Sequence, residues 1–134
     1  MAKNVLVIQT DGTCSAERLP PRAHTLRFLQ GHVDGLVEAV TLWDRDNADP
    51  VTPNSPWGNA VATMWINEEG KAFFDKNSIA TEIAEAHGGI SWADYIAGPV
   101  VITTDDSGDC APLSLDVAMS AGCARIPDHV LELL

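Results

Sequence analysis

The chain reads as a single α+β domain, a mostly antiparallel sheet of about five to six strands with two to three short helices. Three observations carry that expectation. Short β-rich runs such as NVLVIQT (Asn4–Thr10), LVEAVTLW (Leu36–Trp43) and PVVITT (Pro99–Thr104) alternate with clusters of turn residues. The stretch VATMWINEEGKAFFD, Val61 to Asp75, has two β-forming arms around Asn67, Glu68, Glu69 and Gly70. It predicts a hairpin in which Asn67 bonds the backbone ahead of it and Gly70 supplies a positive φ. Directly after it, Ile79, Ala80, Ile83, Ala84 and Ala86 recur at helical spacing behind the capping candidates Asp75, Asn77 and Ser78.

Taken in order, Asn4–Thr10 is the first strand, ended by the turn pair Asp11-Gly12. CSAERLP returns as an edge strand, because Pro20 and Pro21 remove two backbone donors and stop the pairing. His24 to Gln30 predicts a short helix with Leu26, Leu29 and Val33 on one side and Gly31 as its left-handed stop. Leu36–Trp43 is the third strand. Asp44 to Asn59 then carries Pro50, Pro53, Pro56 and Gly58 among three Asp and three Asn, a composition that cannot sustain a ladder and predicts a long surface loop. After the Ile79 helix, closed by Gly88 and Gly89, Gly98 precedes Pro99–Thr104, expected to be a central strand. Asp105 to Asp109 is a polar turn, Leu113 to Ala121 a further helix behind Ser114 or Asp116, and Pro127 opens one more helical turn. No internal repeat or second domain is visible across 1–134.

Composition sets outer limits on function. With 134 residues, 46% of them hydrophobic and 20% charged, the chain is ordinary for one globular domain that buries a core without staples. Eight basic residues against nineteen acidic ones give a net charge of −11, so duplex nucleic acid and anionic membranes would be repelled over most of the surface. Such a surface suits a positively charged partner, or is only solvated. Cys14, Cys110 and Cys123 form an odd set without CxxC spacing, which argues for a reducing cytoplasm and against a zinc or disulfide framework. No apolar run approaches the roughly 18 residues of a membrane span.

The order INEEGKAFFDKNSIATEIA from Ile66, followed by DYIAGPVVITTDDSGD, resembles a domain-of-unknown-function family of small bacteriophage, plasmid and Gram-positive bacterial proteins. VLVI and TLRFLQGHVDGLVEAV are similar to that family's opening strand and its helix-to-strand step. Within the resemblance Asn67, Glu68, Glu69 and Gly70 look like its hairpin turn, Asn77 and Ala80 like its helix entry, and Gly98 like the residue before its last strand. The resemblance implies an accessory protein of an actinobacterial phage, acting in the host cytoplasm, and supplies no catalytic residues. The Pro-rich 44–59 stretch and the Pro-Pro pair depart from the pattern.

No catalytic motif stands out. His24, His32, His87 and His129 include no i, i+4 pair. Asp105, Ser107, Asp109 and Asp116 fall at the first, third, fifth and twelfth positions of a calcium loop, but Cys110 stands where that loop needs Gly. Asp44, Asp46 and Asp49 lack an acidic twelfth ligand. Cys14 has no identifiable base beside it. Arg18, Arg22 and Arg27 gather three of the eight basic residues into ten positions, a candidate phosphate or nucleotide site if they are not paired with carboxylates. Trp57, between Pro56 and Gly58, is a candidate partner anchor, whereas Trp43 and Trp65 suit the core.

The leading expectation is therefore a non-enzymatic, phage-type protein that needs no cofactor or metal and occupies a host protein through its acidic surface and the 44–59 loop, with Asp44, Asp46, Asp49 and Trp57 in contact. A nucleotide sponge using Arg18, Arg22 and Arg27 is the alternative. A metal-assisted hydrolase at the Asp105 turn is the remote third.

Overall fold

In the computed structural model, which describes residues 3–43, 60–87, 89–106 and 109–134, the apolar runs NVLVI and VVITT lie side by side in the middle of one sheet. The strands are β1 (Asn4–Ile8), β2 (Cys14–Arg18), β3 (Val37–Trp43), β4 (Ala60–Asn67), β5 (Val100–Asp106) and β6 (Asp109–Ala111). Their order is β2-β1-β5-β4-β3, every neighbour is antiparallel, and β6 pairs β5 past the stretch that β1 occupies. Among the described residues five α-helical segments accompany them: α1 (Thr25–Val33), α2 (Gly70–Phe73), α3 (Ser78–Ala86), α4 (Leu115–Ser120) and α5 (Asp128–Leu131). This is the single-domain α+β architecture that the alternation of short β runs and turns predicts.

The pleat divides the core in two. Leu6, Ile8, Val40, Leu42, Met64 and Ile102 project to one face, where α3, α4 and α5 bring Ala80, Ile83, Ala84, Ala118, Val130 and Leu131 against them. Val5, Val7 and Val101 project to the other, where Leu29 of α1 covers them and Trp65 packs alongside. Two-sided burial is why β1 and β5 read as nearly continuous apolar runs, while the edge strands β2 and β3 keep polar and exposed positions.

Several expectations are corrected. The second arm of the hairpin does not exist: Lys71–Phe74 follows a turn into the short helix α2, and Phe74 N–H donates to Gly70 O at 2.8 Å. The reason is topological. β4 is already paired on both sides, to β3 and β5, so a returning strand would have no free edge to join. Gly70 consequently does not take the positive φ; among the described residues the glycines that do are Gly12, Gly35, Gly98 and Gly122. Gly31 is not the stop of α1. It lies inside the helix, which ends instead at Asp34 in the left-handed region (φ 59), because the Asn67 amide holds the carbonyls of Val33 and Asp34 at 3.0 Å each. Leu26, expected on the buried side of α1, is exposed while Leu29 and Val33 are buried. Of the stretch expected to be a polar turn, Asp105 and Asp106 belong to β5 and Asp109 opens an unexpected strand, β6, with Asp106 opposite Asp109.

Other expectations stand. β2 is an edge strand, Pro99–Thr104 leads into the central strand β5, and Asn77 caps α3 with its side-chain oxygen on Ala80 N–H at 3.1 Å. Ser114 caps α4 in the same way, through Val117 N–H at 3.3 Å. The 44–59 stretch, with Asp44, Asp46, Asp49 and Trp57, lies outside the described residues, as do Gly88, Ser107 and Gly108.

Candidate functional site

Two buried asparagines brace the region around α2 and the 90–97 segment. Asn67, at the end of β4, accepts from Glu69 N–H at 2.7 Å while its amide group ties down the end of α1. Asn77 donates to Ile8 O (3.1 Å) and Gly98 O (3.0 Å) while accepting from Ala80. Each uses its short side chain in three directions, which a buried amide must do to avoid a desolvation penalty. The sequence marks Asn67, Gly70, Asn77 and Gly98 as structural, and all four sit at this junction.

The irregular segment Ile90–Ala97 is fastened to that junction. Asn77 N–H donates to Ile96 O at 2.8 Å, and Ile96 N–H donates to the Thr81 hydroxyl at 2.9 Å. Gly98, at φ +89, packs on the Phe74 ring, where any side chain would also meet backbone strain. Farther out, the Lys71 ammonium pairs with Asp94 and lies 4.8 Å from the centre of the Tyr95 ring. The hydrogen bond from Lys71 holds the Asp94 carboxyl below its ordinary value and holds the Lys71 ammonium above its own.

Between these walls lie three hollows with lining residues in common. One of about 420 Å³ lies between α2, the end of β4 and Tyr95. A second, of about 530 Å³, continues past Lys71 and Tyr95 along β3. The third, about 420 Å³, opens on the far side of α2 against Leu36 and Phe74. Two large apolar side chains on their walls stand out, Phe73 at 71% exposed and Leu36 at 64%, and Trp92 in the 90–97 segment is 86% exposed. Glu38, Glu68 and Glu69 are exposed on the same rim. The chemistry offered is apolar anchoring inside an acidic frame.

The arginine trio lies elsewhere, with Arg18 at the end of β2, Arg22 in a 3-10 turn and Arg27 on α1, all exposed. Arg22 is paired with Asp109 at 3.2 Å, the ordinary use of such a residue. That pairing also gives Asp109 a cationic partner, and Asp105 faces Cys110 across the β5–β6 pair. Among the described residues no three His, Cys, Asp or Glu side chains gather in a way that could hold a metal ion. Nor is any helix there long and apolar enough to cross a membrane. His87 bonds Trp43 O through Nδ1 at 3.1 Å, and His32 packs edge-on against Phe28.

Sequence reasoning passed over Phe73, Tyr95 and Trp92. Phe73 was hidden by the false hairpin arm. Trp92 and Tyr95 were legible by the same logic as Trp57, since SWADY places two aromatics in a segment without apolar periodicity. No family model matches the chain, and no curated protein or solved structure matches it either.

Proposed function

We propose that this chain is a non-enzymatic accessory protein of phage type that acts by occupying a host protein, and that it makes contact through the acidic face between α2, Ile90–Ala97 and β3. The observation that carries the reading is the coincidence of the largely exposed Phe73 with two hollows that it lines, next to the 90–97 segment that carries the exposed Trp92. A folded chain with a full core gains nothing from leaving such groups in water, whereas aromatic anchors beside pockets are the usual energetic centre of an interface. The charge of −11 supports a partner with a basic contact surface, and the sequence resemblance supports the phage context. Within the same proposal, the stretch from Asp44 to Asn59 is a second contact element on grounds of composition alone.

The test is capture from an actinobacterial host lysate with three baits: the wild type, the Phe73→Ala/Trp92→Ala double variant, and Trp57→Ala. The wild type should retain a specific partner that weakens as salt screens the contact. The double variant should lose it at an unchanged melting temperature. Retention by the double variant, or stabilisation of the protein by a nucleotide that depends on Arg18, Arg22 and Arg27, would overturn the reading.

A further inference from the structure

The outer edge of β3 is the place where backbone chemistry adds to this picture. In an extended strand the N–H and C=O of one residue point to the same side, and successive residues point to opposite sides. At one end of β3, Leu36 O accepts from Glu68 N–H at 2.8 Å, so Leu36 faces the β4 side. At the other, Trp43 N–H donates to His87 O at 3.1 Å and Trp43 O bonds the His87 ring, so Trp43 faces outward. The two ends agree in phase: even-numbered residues pair with β4, and Val37, Ala39 and Thr41 present their backbones outward.

Part of that edge is closed. Gly89 lies so near Thr41 O that a Cβ there would stand 3.0 Å from it, and His87 covers Trp43. The rest is open. Ala39 is exposed, no described residue takes its N–H or carbonyl, and the hollow of about 530 Å³ runs directly beside it. The opposite edge of the sheet is protected differently, since β2 runs into Leu19 and the Pro20-Pro21 pair. An unpaired edge is a template for another strand unless it is blocked.

We infer that β3 is a docking edge for an extended, basic segment of the partner protein, which adds as a further strand paired to the backbone of Ala39 and places an apolar side chain in the hollow beside Tyr95. The inference rests on the proposed binding role of this face and names the mode and chemistry of binding. Main-chain pairing supplies affinity without reading sequence, and alternate side chains supply the selection. Charge decides the occupant. Glu38 flanks the slot, Glu68 and Glu69 line the adjoining hollow, and Lys71, the cation beside them, is held by Asp94. A second copy would instead bring −11 against −11.

The experiment uses the full chain and short synthetic peptides alternating Val or Ile with Lys or Arg, the same peptides with Glu replacing the basic residues, and backbone N-methylated versions. The basic peptides should bind, and binding should protect the Ala39 amide from hydrogen exchange. The acidic and N-methylated ones should bind about tenfold more weakly or worse. Ala39→Pro should cost a similar factor, because it removes an outward donor that the fold does not use. Glu38→Lys, which leaves the backbone alone, should weaken the basic peptides and is the readout if Ala39→Pro fails to fold. Absence of binding, equal binding by N-methylated peptides, or protection of Ala39 that grows with protein concentration alone would overturn the inference. Lysate capture that is lost with Phe73→Ala/Trp92→Ala yet intact in folded Ala39→Pro would sink the edge pairing and leave the binding face standing.

Discussion

A side chain on Gly70 would place its Cβ 2.4 Å from the carbonyl oxygen of Ala97. That near-contact fixes the spacing between α2 and the Ile90–Ala97 segment, the two walls of the first hollow, and it explains a glycine that adopts no unusual φ. Gly70→Ala should therefore destabilise the fold by about 1–3 kcal/mol, as overpacking against backbone does, although alanine is the better helix former. Denaturant titration checks this; a neutral or stabilising result would mean that the walls move apart at no cost.

Asn77→Ala removes a helix cap and leaves Ile8 O and Gly98 O without their side-chain donor. A loss of about 3 kcal/mol is expected, from one cap and two buried acceptors. The same measurement on Phe73→Ala and Trp92→Ala should give changes within about 0.5 kcal/mol, the range for exposed positions. A large loss at Trp92 would show that it is core.

Burial pushes the Cys123 thiol up from 9.0 to about 12. The folded protein therefore holds that proton at a pH where the unfolded chain releases it, so stability is intact below 9.0 and falls as pH rises toward 12, at about 1.4 kcal/mol per pH unit for one group. Cys14 and Cys110 are raised in the same direction by burial. Alkaline denaturation of Cys123→Ala should show a flatter limb than the wild type, and iodoacetamide at neutral pH should spare Cys123 in the folded protein.

The Lys71–Asp94 pair should be visible in acid. Because Lys71 depresses the Asp94 carboxyl, the contact is complete above 3.8 and is lost as pH falls through the lowered value. Tyr95 N–H, bonded to Asp94 Oδ1 at 2.8 Å, reports it by NMR. Its titration should lie below 3.8 in the wild type and move upward in Lys71→Met.

The architecture was legible where a local signal and the tertiary need coincide. NVLVI and VVITT are apolar on both faces because they are central, and Asn77 reads as a cap because a capping oxygen ahead of Ile79 and Ala80 is what α3 needs. The segment after Asn67 is ambiguous in the sequence because four residues, 71–74, fit either a strand or a helical turn, and only the occupancy of both β4 edges decides between them. Gly31 misled in the same way: the stop of α1 is imposed from Asn67, more than thirty positions away. The candidate face was hidden for a related reason, since its walls come from β3, α2 and the 90–97 segment and only the fold brings them together.

Hydrogen exchange on the protein alone and in complex with the captured partner tests the account most directly. Slowed exchange is expected at Val37–Thr41, around α2 and in the 90–97 segment, with α1 and the Arg22 turn unchanged. Protection concentrated on Arg18, Arg22 and Arg27, with β3 and the 90–97 segment exchanging as in the free protein, would contradict it.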